Sequence, residues 1–236
     1  MGQLRLRDFD RIVFFTGAGI SAESGVPTFR GKGGIWKEYD YQNCACESAF
    51  ARDPEHVWEF HNYRRDLVAK CAPNRGHEII AEAEASDAIA QVSVVTQNID
   101  GLHQVAGSES VIELHGSLWR TRCDRCGSDP VVDRSAPLEQ LHCACGAYKR
   151  PDIVWFGDML DHTNISRAKQ VLHGCDLLVS VGTSAVVYPA AEMPLLAKQS
   201  GATLVEINPE STPLSHAYDV HMRGPATAML AQMWDD

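Results

Sequence analysis

The chain of 236 residues sets 21 Lys and Arg against 31 Asp and Glu, a formal net charge of −10. That balance argues against nonspecific nucleic-acid binding and suits a cationic protein partner such as a lysine-rich tail. Hydrophobic residues at 44 % and charged residues at 22 % are ordinary for a soluble globular chain with a sizeable core. No apolar run reaches the ~18 residues of a membrane span, and the N-terminus lacks a signal-peptide core, so a cytoplasmic location is expected.

Strands are predicted near 11–16, 91–95, 111–114, 152–155, 176–181 and 203–207, and helices near 54–70, 76–86, 163–172, 188–199 and 224–233. The first strand (Ile12, Val13, Phe14, Phe15) breaks into Gly17-Ala18-Gly19-Ile20-Ser21-Ala22. A strand, Gly-x-Gly-x-x-Ala and a helix start bring backbone N–H groups against a pyrophosphate, with glycines removing the Cβ atoms that would block the approach. Such turns are common by themselves. Pro27 and the glycines at 31, 33 and 34 then cut the expected long helix short. The segment therefore reads either as a plain surface loop or as a loop over a ligand, with Phe29 and Arg30 covering it. Pro54 and Glu55 open a helix well, since proline suits the first turn and acid the dipole.

Strands separated by helices imply a parallel sheet covered on both faces. Three apolar strands end in groups that hydrogen-bond sugars or phosphates: Thr96-Gln97-Asn98-Ile99-Asp100, Gly182-Thr183-Ser184 and Asn208-Pro209-Glu210. His115 follows the strand Val111-Ile112-Glu113-Leu114, where an imidazole can take a proton from a sugar hydroxyl. His103 is its competitor. Eight cysteines in such a chain read as metal or reactive sites before disulfides. Cys123, Cys126, Cys143 and Cys145 form two close pairs fit for one structural zinc, with His142 a substitute ligand beside the second pair. Cys44 and Cys46 resemble a chelating pair without a partner pair; Cys71 and Cys175 read as small core residues.

The fold expected is α/β: a Rossmann-like parallel sheet with helices on both faces, formed by 1–35, 75–120 and 150–236. A small discontinuous helical and zinc-binding domain comprises 36–74 and 121–149, and the cleft between the two should hold the site.

Gly17-Ala18-Gly19-Ile20-Ser21 with Pro27-Thr28-Phe29-Arg30, then Thr96-Gln97-Asn98-Ile99-Asp100, His115-Gly116, the cysteine pairs, Val154-Trp155-Phe156-Gly157 and Gly182-Thr183-Ser184 follow in one order that resembles the sirtuins, of the compact bacterial type. The resemblance spans about residues 10 to 227. It implies an NAD-dependent protein lysine deacylase that acts on acylated lysine-containing proteins or peptides and works as a monomer. It places NAD against Gly17, Ala18, Gly19, Ser21, Glu23, Thr28, Phe29, Arg30, Trp36, Gln97, Asn98, Ile99, Asp100, Gly182, Thr183, Ser184, Asn208, Glu210 and Ala226. It makes His115 the general base, with Asn98 and Asp100 completing the catalytic set, and Val154-Trp155-Phe156-Gly157 the strip on which substrate peptide adds as a strand. The implied reaction sends the acyl oxygen to the ribose carbon bearing nicotinamide and yields nicotinamide, free lysine and O-acyl-ADP-ribose.

Family members that remove succinyl or malonyl groups carry a Tyr-x-x-Arg pair on the small-domain helix. Here His61 stands at the tyrosine position and Arg64 at the arginine position, which implies dual deacetylase and desuccinylase activity if His61 helps receive the carboxylate. Thr28 stands where many members have aspartate, and compact bacterial members also carry threonine there. Two other readings stay open: a protein mono-ADP-ribosyltransferase and a nonenzymatic NAD-sensing module.

Overall fold

The structure, a computed structural model, describes residues 4–28 and 41–234. Strand β1 (Arg11–Thr16) is followed by a 3₁₀ helix (Ala18–Ser24), not the α-helix start the Gly-rich turn suggests. Gly25, at φ +88°, ends that turn by adopting the left-handed conformation. Three helices follow, α1 (Tyr41–Cys44), α2 (Glu47–Arg52) and α3 (Pro54–Ala69). Asp53 caps α3 by accepting the His56 amide at 3.0 Å, and Pro54 occupies its first turn, where no N–H is needed.

Then come α4 (Arg75–Glu84), β2 (Gln91–Thr96), α5 (Leu102–Ala106), β3 (Val111–Glu113), β4 (Gly116–Arg122), β5 (Val131–Val132) and β6 (Arg150–Ile153). The chain closes with α6 (His162–Gly174), β7 (Leu177–Val181), α7 (Pro194–Gln199), β8 (Thr203–Ile207), β9 (Val220–Met222) and α8 (Ala226–Trp234). Pro194 starts α7 after a separate 3₁₀ turn (Ala190–Glu192), so the continuous helix expected over 188–199 is two short pieces.

Six strands form one parallel sheet in the order β3-β2-β1-β7-β8-β9. The chain winds outward from β1 to β3, returns across the sheet to β7, and winds outward again. The switch point therefore lies between the C-terminal ends of β1 and β7, where open α/β sheets receive ligands. Successive residues of β1 face opposite sides. Ile12 and Phe14 pack with Ile79, Ile80, Leu230 and Met233 of α4 and α8, whereas Val13 and Phe15 pack with Ala168, Leu172 and Ala197 of α6 and α7.

The segment predicted as a parallel strand at 152–155 is placed elsewhere. β6 pairs antiparallel with β4, which also pairs antiparallel with β5, in a separate three-stranded sheet. A third apolar cluster joins that sheet to the helical insertion through Ala49, Val57, Val68, Leu118, Trp119 and Trp155. Helix α3 also ties down the cysteine-bearing loop. The Trp58 indole donates to the Lys149 carbonyl at 2.7 Å, and Asn62 both donates to and accepts from Leu138, at 3.2 and 2.9 Å. Among the described residues, no helix is long and apolar enough to cross a membrane.

Candidate active site

A cleft of about 650 Å³ opens at the switch point, bounded on its far side by the β6 segment and α3. Its floor is a backbone-on-backbone contact. Gly17 and Gly19 donate their amides to the carbonyls of Val181 and Gly182 at 3.0 and 2.9 Å. A Cβ at Gly19 would sit 2.5 Å from the Gly182 Cα, so only glycine permits the approach. The glycines therefore let the two strand tips touch. Their own N–H groups are spent on β7, so they do not point at a phosphate as the sequence pattern suggests.

Around that floor lie Ala18, Glu23 and Thr28, then Gln97, Asn98 and Ile99 at the tip of β2. Thr183 and Ser184 follow β7, and Asn208 and Glu210 follow β8. Asn208 donates through Nδ2 to the Thr183 carbonyl at 2.7 Å, joining two strand-end loops. Ala226 begins α8, and Glu23 caps that helix by accepting the Thr227 amide at 3.0 Å and hydroxyl at 2.7 Å. Glu23 thus acts on the site by holding α8. Phe29, Arg30 and Trp36 lie outside the described residues.

His115 lines the cleft, half-buried, with Nδ1 at 2.9 Å from the Gln97 carbonyl. A carbonyl can only accept, so Nδ1 carries the proton and Nε2 keeps its lone pair for the cleft. Burial lowers the His115 pKa, with the Gln97 bond opposing it, so the ring is neutral at neutral pH. His103 is buried elsewhere, 2.9 Å from Thr16 Oγ1 through Nε2, and does not line the cleft.

Asn98 donates to the Gly17 carbonyl at 3.1 Å and to Ser21 Oγ at 3.3 Å. Ser21 in turn donates to the Asp100 carboxylate at 2.8 Å, and His77 Nε2 lies 3.4 Å from the same hydroxyl. Ser21 is fully buried behind the cleft wall, so it holds Asn98 and Asp100 in place. Asp100 borders a small cavity shared with Ala18, Asn98, Ile99 and Arg64, the last four of which also line the cleft. Burial raises the Asp100 pKa; the Leu102 amide, the Ser21 hydroxyl and the Arg64 charge oppose it.

The two helix residues expected to read an acidic acyl group part company. Arg64 reaches the cleft, whereas His61 is 0 % exposed and packs against Trp58 and Phe60 inside the helical insertion. Burial, reinforced by the Arg64 charge, pushes the His61 pKa well down, so the ring stays neutral. The expectation that His61 helps receive a carboxylate is not supported by this placement, because its ring lies inside the helical insertion. Burial also lowers Arg64, to about 10, which leaves it cationic at neutral pH.

Val154, Trp155, Phe156 and Gly157 form the opposite lip. Val154 donates its amide to the His115 carbonyl at 3.0 Å and Phe156 to the Ala45 carbonyl at 3.1 Å, so these two N–H groups are not the ones that receive an added strand. The sequence reading missed Tyr188 and Pro189, which line the same cleft from the loop after β7 and carried no motif signal. It also missed Glu206, an acid inside an apolar strand, which was a usable signal. Glu206 gathers the hydroxyls of Thr212 and Ser215 at 2.9 and 2.8 Å and Arg223 at 2.8 Å, fixing the loop after β8.

Cys123, Cys126, Cys143 and Cys145 bring their sulfurs within 4.8 Å of one another, with Cys123–Cys145 at 3.6 Å and Cys126–Cys143 at 3.7 Å. Four thiolates about 2.3 Å from a tetrahedral zinc stand about 3.8 Å apart, so the set fits one zinc ion and leaves no open position for water. His142 instead stacks on Tyr148, ring centroids 4.2 Å apart, outside the set. Cys46 donates to the Gln42 carbonyl at 3.2 Å and Cys44 is buried; neither joins the cluster. Cys175 is a core residue, whereas Cys71 is only half-buried.

A doubly wound sheet with a switch-point cleft, a strand-end histidine and an inserted four-cysteine module defines a dinucleotide-type enzyme with a structural zinc. The Sir2 family pattern matches residues 17–189, and the chain belongs to that family. It is 45 % identical over 227 residues to an "NAD-dependent protein deacylase" of Aquifex aeolicus, covering 95 % of this chain and 94 % of that protein. It is 42 % identical over 247 residues to "NAD-dependent protein deacylase sirtuin-5, mitochondrial" of Canis lupus familiaris, covering 94 % and 80 %. A solved Sir2 homologue in complex with NAD superposes with a TM-score of 0.89 at 42 % identity, covering 97 % of this chain and 89 % of that one.

Proposed function

We propose that this chain is an NAD-dependent protein lysine deacylase that consumes NAD, an acylated lysine and one water and releases nicotinamide, free lysine and O-acyl-ADP-ribose. The observation that carries the reading is His115, whose Nδ1 is committed to the Gln97 carbonyl and whose Nε2 is left as a base in the cleft. Its role is to take the proton of a ribose hydroxyl so that the oxygen can attack the acyl carbon. Asn98 and Asp100, fixed through Ser21, hold the nicotinamide-bearing end, while the β7 and β8 loops hold the adenosine end. A cationic nicotinamide leaves readily, so the chain's main work is to position the reactants and keep water out.

The substrate lysine enters between Val154–Gly157 and Arg64. Acetyl is the basic acyl group, and Arg64 extends the range to succinyl and malonyl through a charge-assisted contact. The sheet with its covering helices serves as the NAD-binding domain, and 36–74 with 121–149 serves as the small domain that the zinc holds together. The net charge of −10 supports a cationic protein partner over nucleic acid, and the eight unbridged cysteines support a reducing, cytoplasmic setting for a monomer.

The test is mass spectrometry of matched acetyl-lysine and succinyl-lysine peptides incubated with the protein, with and without NAD. Loss of the acyl group only with NAD, with nicotinamide in equal amount, is the expected result. NAD-derived label left on protein with both peptides intact would replace this reading with ADP-ribosyl transfer, and NAD binding without nicotinamide release would replace it with sensing.

A further inference from the structure

We propose that Trp119 is a positioning residue that couples the cysteine-bearing loop to Asp100 at the inner end of the cleft. The inference rests on the reading of that cleft as the NAD site. The Trp119 indole, 5 % exposed, donates through Nε1 to the Asp100 carbonyl at 2.6 Å. The next residue, Gly101, is left-handed at φ +73°, and a Cβ there would lie 3.0 Å from Trp119 Cδ1, so the turn packs flush on the ring. The carboxylate of Asp100 is held at its other end, by the Leu102 amide at 3.0 Å and the Ser21 hydroxyl at 2.8 Å. The indole bond thus fixes the main-chain end of a residue that borders the small cavity adjoining the cleft.

Trp119 is itself gripped by the module that bears the cysteines. The guanidinium groups of Arg65 and Arg134 both lie over its ring, 5.0 and 5.7 Å from the centroid. Arg65, fully buried on α3, donates to the carbonyls of Leu118 at 2.6 Å, Ser135 at 2.9 Å, and Asp133. Asp133 in turn donates its backbone amide to the Trp119 carbonyl at 2.8 Å. Residues 133–135 lie between Cys126 and Cys143, and β4 runs from Trp119 into Cys123. Both limbs that frame the indole are therefore closed by the four-sulfur cluster, and an open cluster releases Arg134 and the carbonyls that Arg65 holds.

The experiment is calorimetric NAD binding by wild type and Trp119→Phe, each with zinc bound and after chelation. Phenylalanine keeps an aromatic ring in the cluster and deletes the indole donor. With zinc bound, Trp119→Phe is expected to keep one zinc per chain and the wild-type KM for acyl-peptide, and to weaken NAD binding about 3- to 10-fold, the size of one hydrogen bond. Chelation is expected to weaken NAD binding in wild type and to add less in the variant, because the two changes break one path. Unaltered NAD affinity in Trp119→Phe, or equal chelation factors in both proteins, overturns the coupling. Arg134→Ala, an exposed side chain, gives a second cycle on zinc-loaded protein: non-additivity with Trp119→Phe supports the path, and additivity overturns it. No NAD binding by the wild type would instead overturn the reading of the cleft itself.

Discussion

The His115 ring is set by one carbonyl: Gln97 accepts its Nδ1 proton at 2.9 Å, from the tip of the strand next to the one His115 follows. β2 and β3 are parallel neighbours in register from Val94 opposite Val111 to Thr96 opposite Glu113. Sheet geometry therefore delivers the tautomer protonated on Nδ1, which the proposed general base needs.

His115→Ala is expected to lower deacylation by roughly 100- to 10,000-fold while NAD binding stays near wild type. Burial pushes the His115 pKa below its ordinary 6.5, which favours the neutral, basic ring. The sign follows: kcat/KM stays flat through neutrality and falls only as pH drops through the lowered value. A pH–rate profile whose acid limb begins above 6.5 would remove His115 from this role.

Much of this site was readable because strand ends announce themselves: Thr96 to Asp100, Gly182 to Ser184 and Asn208 to Glu210 are polar groups after apolar runs. Residue roles were less readable. Gly17 and Gly19 look in sequence like phosphate cradles, yet their amides close onto β7, a long-range contact that no local spacing encodes. His61 sits at helical spacing from Arg64, yet it is fully buried beside Trp58 and Phe60 of the same helix. Which face of α3 is covered is a matter of tertiary packing that spacing does not encode. The strand expected at 152–155 lies at Arg150–Ile153, and its pairing with β4 depends on the fold of the cysteine-bearing loop between them.

Gly182→Ala tests the contact that makes the cleft floor. Its φ of +62° and the 2.5 Å approach of a Cβ to Gly19 add backbone strain to a clash with main chain that cannot rotate away. Gly201 is left-handed too, at φ +88°, but a Cβ there meets open space. Gly201→Ala should cost about 1–2 kcal/mol from conformation alone. Gly182→Ala should cost about 1–3 kcal/mol more, the usual size of overpacking, and also weaken NAD binding. Urea unfolding of both variants checks this, and equal losses would mean the strand tips do not press together.

Glu206 offers a test by linkage. Burial opposes its ionisation, but hydrogen bonds from Ser215, Thr212, His221 and Arg223 prevail and hold the carboxyl below its ordinary 4.5. A depressed carboxylate pKa stabilises the fold above the unfolded value, and that contribution is lost as pH falls through the folded one. Glu206→Gln should thus be less stable than wild type at neutral pH, with the difference shrinking in acid. It should also raise the KM for NAD, since Thr212 sits on the loop lining the cleft. A stability gap that is constant with pH would deny the carboxylate this part.

With His61 buried, Arg64 is the residue of the expected pair that reaches the cleft, and on the proposed reading it sets the acyl preference. Arg64 lines both the cleft and the small cavity beside Asp100, and at a pKa of about 10 it is cationic wherever the enzyme is assayed near neutrality. A succinyl or malonyl carboxylate would gain a charge-assisted bond of about 1.5–3 kcal/mol there, while an acetyl group presents nothing for it to hold. Arg64→Ala is therefore expected to lower kcat/KM for a succinyl-lysine peptide about 10- to 100-fold and to leave the acetyl-lysine value within a few-fold. His61→Phe, which replaces one buried ring by another, should leave the succinyl-to-acetyl ratio as it is. Steady-state kinetics on the two peptides with both variants decides the matter. Equal losses on the two peptides in Arg64→Ala would make Arg64 a structural cation of α3, and a changed ratio in His61→Phe would return the histidine to the acyl site.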